Sequence, residues 1–358
     1  MKMEDKMLGE IIQEKVNDSI FPGLGIATLN NFNDISYYGA GVLEKGTTNH
    51  VNENTAFHIC SMSKMITTIV VLKLEQEGLL NIDAPINNLF ADWKLEDSEI
   101  ASAELVTLRL LLAHQGGMVD DENGFRHYQK GTVYPDMKAI LNGVTPYNRK
   151  KAVIEYIPGS RFEYSDMGYC IIQKIVEDVM NDCFENIVQK YIFEPLHLKN
   201  SFFASSTELE NRKEMNIAVG YDDCGNPFEE KRVSFPYAAA SGMYSTSIEC
   251  LRIVRDLVNS WKKGAGIILN QEQARKMLSP LDIENPWFGL GVFLQGEDCF
   301  ISKGWDEDAQ CMLKVYLKEE KAIVVMSNCN PGVEQEESLI GEMITLFEGR
   351  PFMFVEPT

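Results

Sequence analysis

The sequence predicts an α/β fold: an antiparallel sheet drawn from both ends of the chain and flanked by helices, with a mostly helical region inserted between its strands. Three observations predict it. Strand-like segments bounded by turn residues lie near both termini. Helical periodicity dominates from Met62 to about Val258. The chain has 358 residues, 45% of them hydrophobic, which is enough for two lobes rather than one.

Taken in order, residues 5–19 place apolar side chains at helical spacing, and Pro22-Gly23 closes that helix. A strand runs from Leu24 to Leu29, a polar turn from Asn30 to Asp34, and a second strand to about Val42, the pattern of a β-hairpin. The helical middle is broken by polar loops such as 114–136 and 220–232. Strand-like segments return near 287–295, 309–317 and 322–327, the last two joined by a charged turn, Lys318 to Lys321. A closing helix is expected near 334–348. This divides the chain into a sheet domain of residues 1–65 and 236–358 and an inserted, mostly helical domain of residues 66–235.

Composition narrows the function. Lys plus Arg is 33 and Asp plus Glu is 53, a formal charge of −20. Such a surface repels phosphate backbones and anionic lipid, so neither nucleic acid nor a membrane is an expected partner. The N-terminus has no unbroken apolar core of the secretory kind. The longest apolar stretches, such as Ile69 to Leu72, are far too short to span a bilayer. None of the 8 cysteines forms a CxxC pair, so zinc-site spacing is absent and no metal is expected. They read as reduced thiols of a cytoplasmic protein.

The chemistry concentrates in Phe57-His58-Ile59-Cys60-Ser61-Met62-Ser63-Lys64. An S-x-x-K tetrapeptide alone is weak, and a second one, Ser260 to Lys263, closes a helical pattern beside Lys262 and Gly264 as a solvated end. Lys64 differs: it is the only Asp, Glu, Lys or Arg between Glu53 and Lys73, among Met62, Met65, Ile66 and Ile69. Burial disfavours its charge, and a neutral amine is a general base. Residues three apart share a helix face, so the Lys64 amine should reach the Ser61 hydroxyl. The helix start favours negative charge developing there. This is the pattern of an activated nucleophile. The alternative is a snorkelling lysine and a serine that merely caps the helix.

FHICSMSK followed by KLEQEGLLNIDAPINNLF resembles the opening of the serine β-lactamase and penicillin-binding-protein family, in its class C-like branch of esterases and DD-peptidases. The likeness continues in order through PGLGIATLNNFNDISYYGAGV, VTLRLLLAHQGGM, YIPGSRFEYSDMGYCIIQKIVEDV, AAASGMYSTSIECLRIV and WFGLGVFL. It implies a sheet of about five antiparallel strands with an inserted helical region. It also implies Ser61 as nucleophile, Lys64 as base and Tyr164, in Tyr164-Ser165-Asp166, as the residue that relays the proton to the leaving group. Asp166 stands where the family usually has Asn. It is read either as a substrate contact or as the N-cap of a helix starting near Gly168.

The third family motif, K-T-G or H-x-G, departs here. The segment is Ile301-Ser302-Lys303-Gly304-Trp305. Alignment on Gly304 puts Ser302 where a cation is expected. Lys303 then faces away, because neighbours on a strand point to opposite faces, unless a bulge turns it inward. Ser302, Lys303 and Gly304 are the candidate substrate contacts, and the N–H groups of Ser61 and Trp305 would form the oxyanion hole. His114, beside Leu111, Leu112 and Ala113, reads as a packed histidine rather than a catalyst. There is no G-x-S-x-G, Walker A, G-x-G-x-x-G or H-E-x-x-H segment. The expectation is a cofactor-free serine hydrolase acting through an acyl-enzyme on an ester, amide or small peptide. The alternatives are acyl transfer to a non-water acceptor, and a penicillin-binding-like sensor that has lost turnover.

Overall fold

The structure, a computed structural model, describes residues 3–129, 131–203, 209, 216–281, 286–349 and 351–352. Helix α1 (Met3–Asn17) leads into the hairpin β1 (Gly23–Asn30) and β2 (Asp34–Gly41). Strands β6 (Phe293–Leu294), β7 (Cys299–Trp305), β8 (Gln310–Tyr316) and β9 (Lys321–Ser327) come from the other end of the chain. Together they form one sheet in the order β2-β1-β9-β8-β7-β6, every pairing antiparallel. The family resemblance implied about five strands; the sixth, β6, is only 2 residues long. Sequence alternation suggested a longer strand at 287–295, but most of that stretch is turns and a single bridge, Phe288 to Phe293.

Alternation along β1 and β9 sorts their side chains to two cores. Leu24, Ile26, Ile323 and Val325 pack under Ile12 and Val16 of α1 and Ile340 and Met343 of α10 (Leu339–Glu348). Ala27, Leu29, Val324 and Met326 face the larger core, which includes α2 (Ser63–Gln76) and α8 (Ser247–Lys263). Eleven of the 14 residues of α2 are buried, so this helix is the axis of that core rather than an amphipathic surface helix.

The inserted region supplies α3 (Leu108–Leu112), α4 (Met137–Leu141), α5 (Asp166–Met180) and α6 (Phe184–Val188), and α7 (Ala238–Ser241) and α9 (Gln271–Met277) follow later. A second, small sheet was not expected from the sequence. It joins β3 (Phe57–His58), β5 (Met243–Ser245) and β4 (Phe202–Phe203) in the order β3-β5-β4. Strands of 2 or 3 residues leave no alternation to read, yet β3 of this sheet leads directly into the Ser61 turn. No helix among the described residues is long and apolar enough to cross a membrane.

Candidate active site

Ser61 lies in a 3-10 turn, Cys60–Met62, that feeds directly into α2. Cys60 takes a left-handed φ of 51°, an uncommon conformation for a side-chain-bearing residue, next to the candidate nucleophile. Lys64 is in the first turn of α2, 3% exposed. Its Nζ donates to Ser61 Oγ at 2.9 Å and to the carbonyl of Ala240 at 3.0 Å, and stands 2.5 Å from Asp166 Oδ1. One amine thus meets three acceptors and fills an ammonium's capacity to donate.

This changes the electrostatics expected from the sequence. Burial pushes the Lys64 pKa down, as anticipated. The Asp166 carboxylate, with a smaller effect from Tyr164, outweighs it and holds the amine above its ordinary value. The resting lysine is an ammonium, not the neutral base that apolar neighbours alone would give.

Asp166 is free to make this contact because it does not cap the helix. The N-cap of α5 is Ser165, whose Oγ accepts from Gly168 N at 3.1 Å. Asp120, which sequence reasoning missed, closes the same helix end. Its carboxylate accepts from Ser165 Oγ at 2.7 Å, Asp166 N at 2.6 Å and Met167 N at 3.0 Å. A carboxylate on a helix N-terminus is favoured by the orphan N–H groups and the dipole. Burial and then Asp166 raise the Asp120 pKa to about 6 against those bonds. Its sequence signal was slight: one acid in a polar loop, 45 residues from the helix it closes.

Tyr164 is 38% exposed, and its ring stacks on His114 with centroids 4.2 Å apart. Lys64 Nζ lies 4.9 Å from the Tyr164 ring centroid. Burial raises the phenol's pKa, while Lys64 and hydrogen bonding to Ser61 and Lys64 pull the other way without prevailing. His114 is buried and accepts Ser165 N at 3.1 Å through Nδ1. Burial and then Lys64 hold its pKa well below the ordinary value. It is a neutral, packed histidine that shelves Tyr164, as its apolar neighbours suggested.

On β7 the register with β8 runs one for one from Cys299↔Tyr316 to Trp305↔Gln310, with no bulge. Phe300 joins the core around α2, and Ile301 the core under the terminal helices. Ser302 and Gly304 therefore share the α2 side. Lys303 lies on the other, its Nζ 3.3 Å from Glu336 Oε1. Gly304 permits a close approach: a Cβ there would sit 2.4 Å from Ile59 O and 3.1 Å from Cys60 Cβ. Strand β6 pairs with Phe300 and Ile301 of β7, and among the described residues no strand pairs with β7 beyond them on that side. The Trp305 side chain is 37% exposed and donates Nε1–H to Asn330 Oδ1 at 2.8 Å. Ser302 is 3% exposed.

Behind the Ser61 turn lies a polar group that sequence reasoning did not single out: buried His58, Ser241 and Asp308, with half-buried Asp306. His58 bridges Asp308 and the Ser241 carbonyl, and Ser241 Oγ donates to Asp306 Oδ2. Donor atoms of His58, Cys60 and Asp306 lie within 4.8 Å of one another, which fits a small cation on distance alone. Both His58 nitrogens are already engaged, however. All 8 cysteines are free thiols.

Protein flp of Staphylococcus aureus (strain MW2) is 24% identical over 335 residues, covering 91% of this chain and 63% of its own length. The teichoic acid D-alanine hydrolase of Staphylococcus aureus (strain MRSA252) is 24% identical over 249 residues, 70% of this chain and 53% of its own. The chain therefore spans less than two thirds of the curated relatives it matches. Among solved structures, the octameric penicillin-binding protein homologue from Pyrococcus abyssi has a TM-score of 0.71 at 21% identity, covering 97% of this chain and 78% of its own. The D-amino acid amidase from Ochrobactrum anthropi SV3 has a TM-score of 0.70 at 18% identity, with 91% of each chain covered. The Beta-lactamase family profile matches residues 8–343, and the chain belongs to that family.

Proposed function

We propose that this protein is a serine hydrolase that cleaves esters or amides through an acyl-enzyme on Ser61. The observation that carries this is the Ser61–Lys64–Asp166 chain, with contacts of 2.9 and 2.5 Å, beside the stretch of β7 where Gly304 lies against Ile59 and Cys60. Lys64 first passes a proton to Asp166 Oδ1 and becomes neutral. Its lone pair takes the Ser61 proton as Oγ bonds to the substrate carbonyl carbon. The Ser61 and Trp305 N–H groups hold the oxyanion. As the bond to the leaving group breaks, Lys64 returns the proton through Tyr164 to the departing oxygen or nitrogen. Water then attacks the acyl-enzyme, giving its proton along the same route to release Ser61.

The substrate reading follows the charges. Among relatives carrying K-T-G or H-x-G, a cation greets a substrate carboxylate. Here Ser302 holds that position and Lys303 turns to Glu336. Asp166 adds a carboxylate 2.5 Å from Lys64 Nζ, where the family usually has Asn. Such a site suits acyl groups that are neutral or carry an ammonium. The names of the D-amino acid amidase and the teichoic acid D-alanine hydrolase fit that preference. A fluorophosphonate should label the full chain once, on Ser61 by peptide mapping, and Ser61→Ala should abolish both labelling and p-nitrophenyl butyrate turnover. Labelling that persists in that variant, or that maps to Ser241 or Ser302, overturns the assignment.

A further inference from the structure

His58 lies on β3, three residues before Ser61, and is 3% exposed. Its Nδ1 is 2.8 Å from Asp308 Oδ1 and its Nε2 is 2.5 Å from the Ser241 carbonyl oxygen. A carbonyl has no hydrogen to give, and neither has an ionised carboxylate. Both ring nitrogens must then donate, and an imidazole that donates twice is an imidazolium. Its faces are suited to that charge. Phe235 stacks on the ring at 4.7 Å, and Tyr244 lies 5.4 Å away.

Three walls of the candidate site meet on this ring. Through Ile59 and Cys60 it runs into the Ser61 turn. Through the Ser241 carbonyl it holds the end of α7, where the neighbouring Ala240 carbonyl accepts Lys64 at 3.0 Å. Through Asp308 it holds the turn that follows Trp305. Ser241 Oγ and Asp306 cross-brace the last two walls. No other side chain among the described residues is shown bonding both of these latter walls while lying on the strand that leads to Ser61.

We propose that His58 is a positioning residue: as a doubly donating imidazolium it fixes the nucleophile turn, the acceptor of Lys64 and the oxyanion strand in one frame, and acylation fails when it gives up its second proton. This rests on the acyl-enzyme reading above.

The surroundings place that failure on the alkaline side. Burial alone would lower the His58 pKa. The Asp308 charge and bond, the Asp306 charge and the Ser241 carbonyl together raise it to about 9. The other titratable groups facing the ring are Asp308 and Asp306 from the turn after β7, Cys60 from the Ser61 turn, with Sγ 3.6 Å from Nδ1, and Tyr244 from β5. Asp306 is raised to about 7 by burial, while Cys60 and Tyr244 are pushed well above their ordinary values. Lys64 and Tyr164 are raised as well. Between pH 8 and 10, roughly, His58 is the group in this frame whose charge changes.

The test uses the full chain and three variants: His58→Gln, which donates from one end only, His58→Arg, whose charge and forked donors persist, and Asp308→Asn. Fluorophosphonate labelling rate and kcat/KM for p-nitrophenyl butyrate are followed from pH 7 to 10.5. The wild type should lose both along a limb near pH 9. His58→Gln should be at least tenfold slower at pH 7.5 and lack that limb. His58→Arg should recover rate and push the limb above pH 10, and Asp308→Asn should bring it below 9. A residue needed only for folding would not move the limb. Imidazole 15N NMR of the unmodified protein provides a measurement independent of the variants, and both nitrogens should be protonated at pH 7.5. A neutral His58 in that spectrum, a limb that survives His58→Gln, or stoichiometric zinc binding at pH 7.5 that depends on His58 would overturn the proposal. If the wild type neither labels nor turns over, the acyl-enzyme reading has failed, and the NMR result still decides the charge of His58.

Discussion

Asp166 decides the protonation state of Lys64, and one oxygen atom separates it from the family's usual Asn. The carboxylate 2.5 Å from Nζ outweighs the burial that would otherwise neutralise the amine. Asp166→Asn keeps the shape and removes the charge. Burial then dominates, and the Lys64 pKa falls. On the proposed mechanism the wild-type proton passes inside the ion pair, so kcat/KM on a neutral ester should stay level from about pH 6 to 8. In Asp166→Asn the amine must lose its proton to solvent, so the same quantity should climb with pH, by up to about tenfold per unit below the new pKa. Parallel pH profiles of the two proteins settle the point. Superimposable curves would show that Asp166 does not govern the lysine. Ser61 and Lys64 stood out as candidates in the sequence because Lys64 is the only Asp, Glu, Lys or Arg between Glu53 and Lys73. The effect of Asp166 did not, because it acts across 102 residues of chain through a contact that only the fold creates.

At the scale of elements, β7 shows what pattern alone can carry. Strict alternation predicted that Ser302 and Lys303 face opposite ways, and the unbroken register with β8 places Lys303 on Glu336. Lys303→Ala should therefore leave the ratio of kcat/KM between p-nitrophenyl butyrate and a penicillin unchanged within about twofold. Ser302→Lys, if it folds as judged by circular dichroism, should move that ratio toward the penicillin. The shift is about tenfold to a hundredfold if one charge-assisted bond of ~1.5–3 kcal/mol is restored. The opposite result from the pair would mean that Lys303 reads the substrate. The hairpin of β1 and β2 was equally legible, since its polar turn is flanked by apolar runs. The small sheet of β3, β5 and β4 was not. Strands of 2 or 3 residues carry no period, and only their pairing, Phe57↔Ser245 and Phe202↔Tyr244, defines them. That sheet also carries His58, which explains why sequence reasoning passed over it while weighing His114.

Over the whole molecule, the ionisable groups wholly or partly buried around the site bias stability toward mildly acidic pH. His58 binds its second proton more tightly when folded, with a pKa of about 9 against an ordinary 6.5. Its contribution is complete below about pH 6.5 and is lost as pH rises through 9. Asp306 and Asp120, at about 7 and 6 against 3.8, also hold protons better in the folded state. Ionising them inside the fold costs stability, and that cost is relieved as pH falls from 7 toward 4. The surface adds to the trend, because a formal charge of −20 repels itself more as the last protons leave. Opposing these, Asp83, Asp97 and Asp182 are held below the usual carboxylate range by their partners, so the stability they contribute is lost only in stronger acid. The melting temperature should therefore peak near pH 5–6 and fall steadily toward pH 9. His58 alone is worth about 3 kcal/mol across that window at ~1.4 kcal/mol per pKa unit, or several degrees in Tm. Calorimetric scans at half-unit steps from pH 4.5 to 9.5 measure the slope. His58→Gln should lower Tm at pH 6 and flatten the curve between pH 6.5 and 9, while leaving the acid side in place. A wild-type Tm that holds level or rises from pH 7 to 9 would show that His58 is not charged in the folded protein, and would remove the frame that joins the Ser61 turn, α7 and the end of β7.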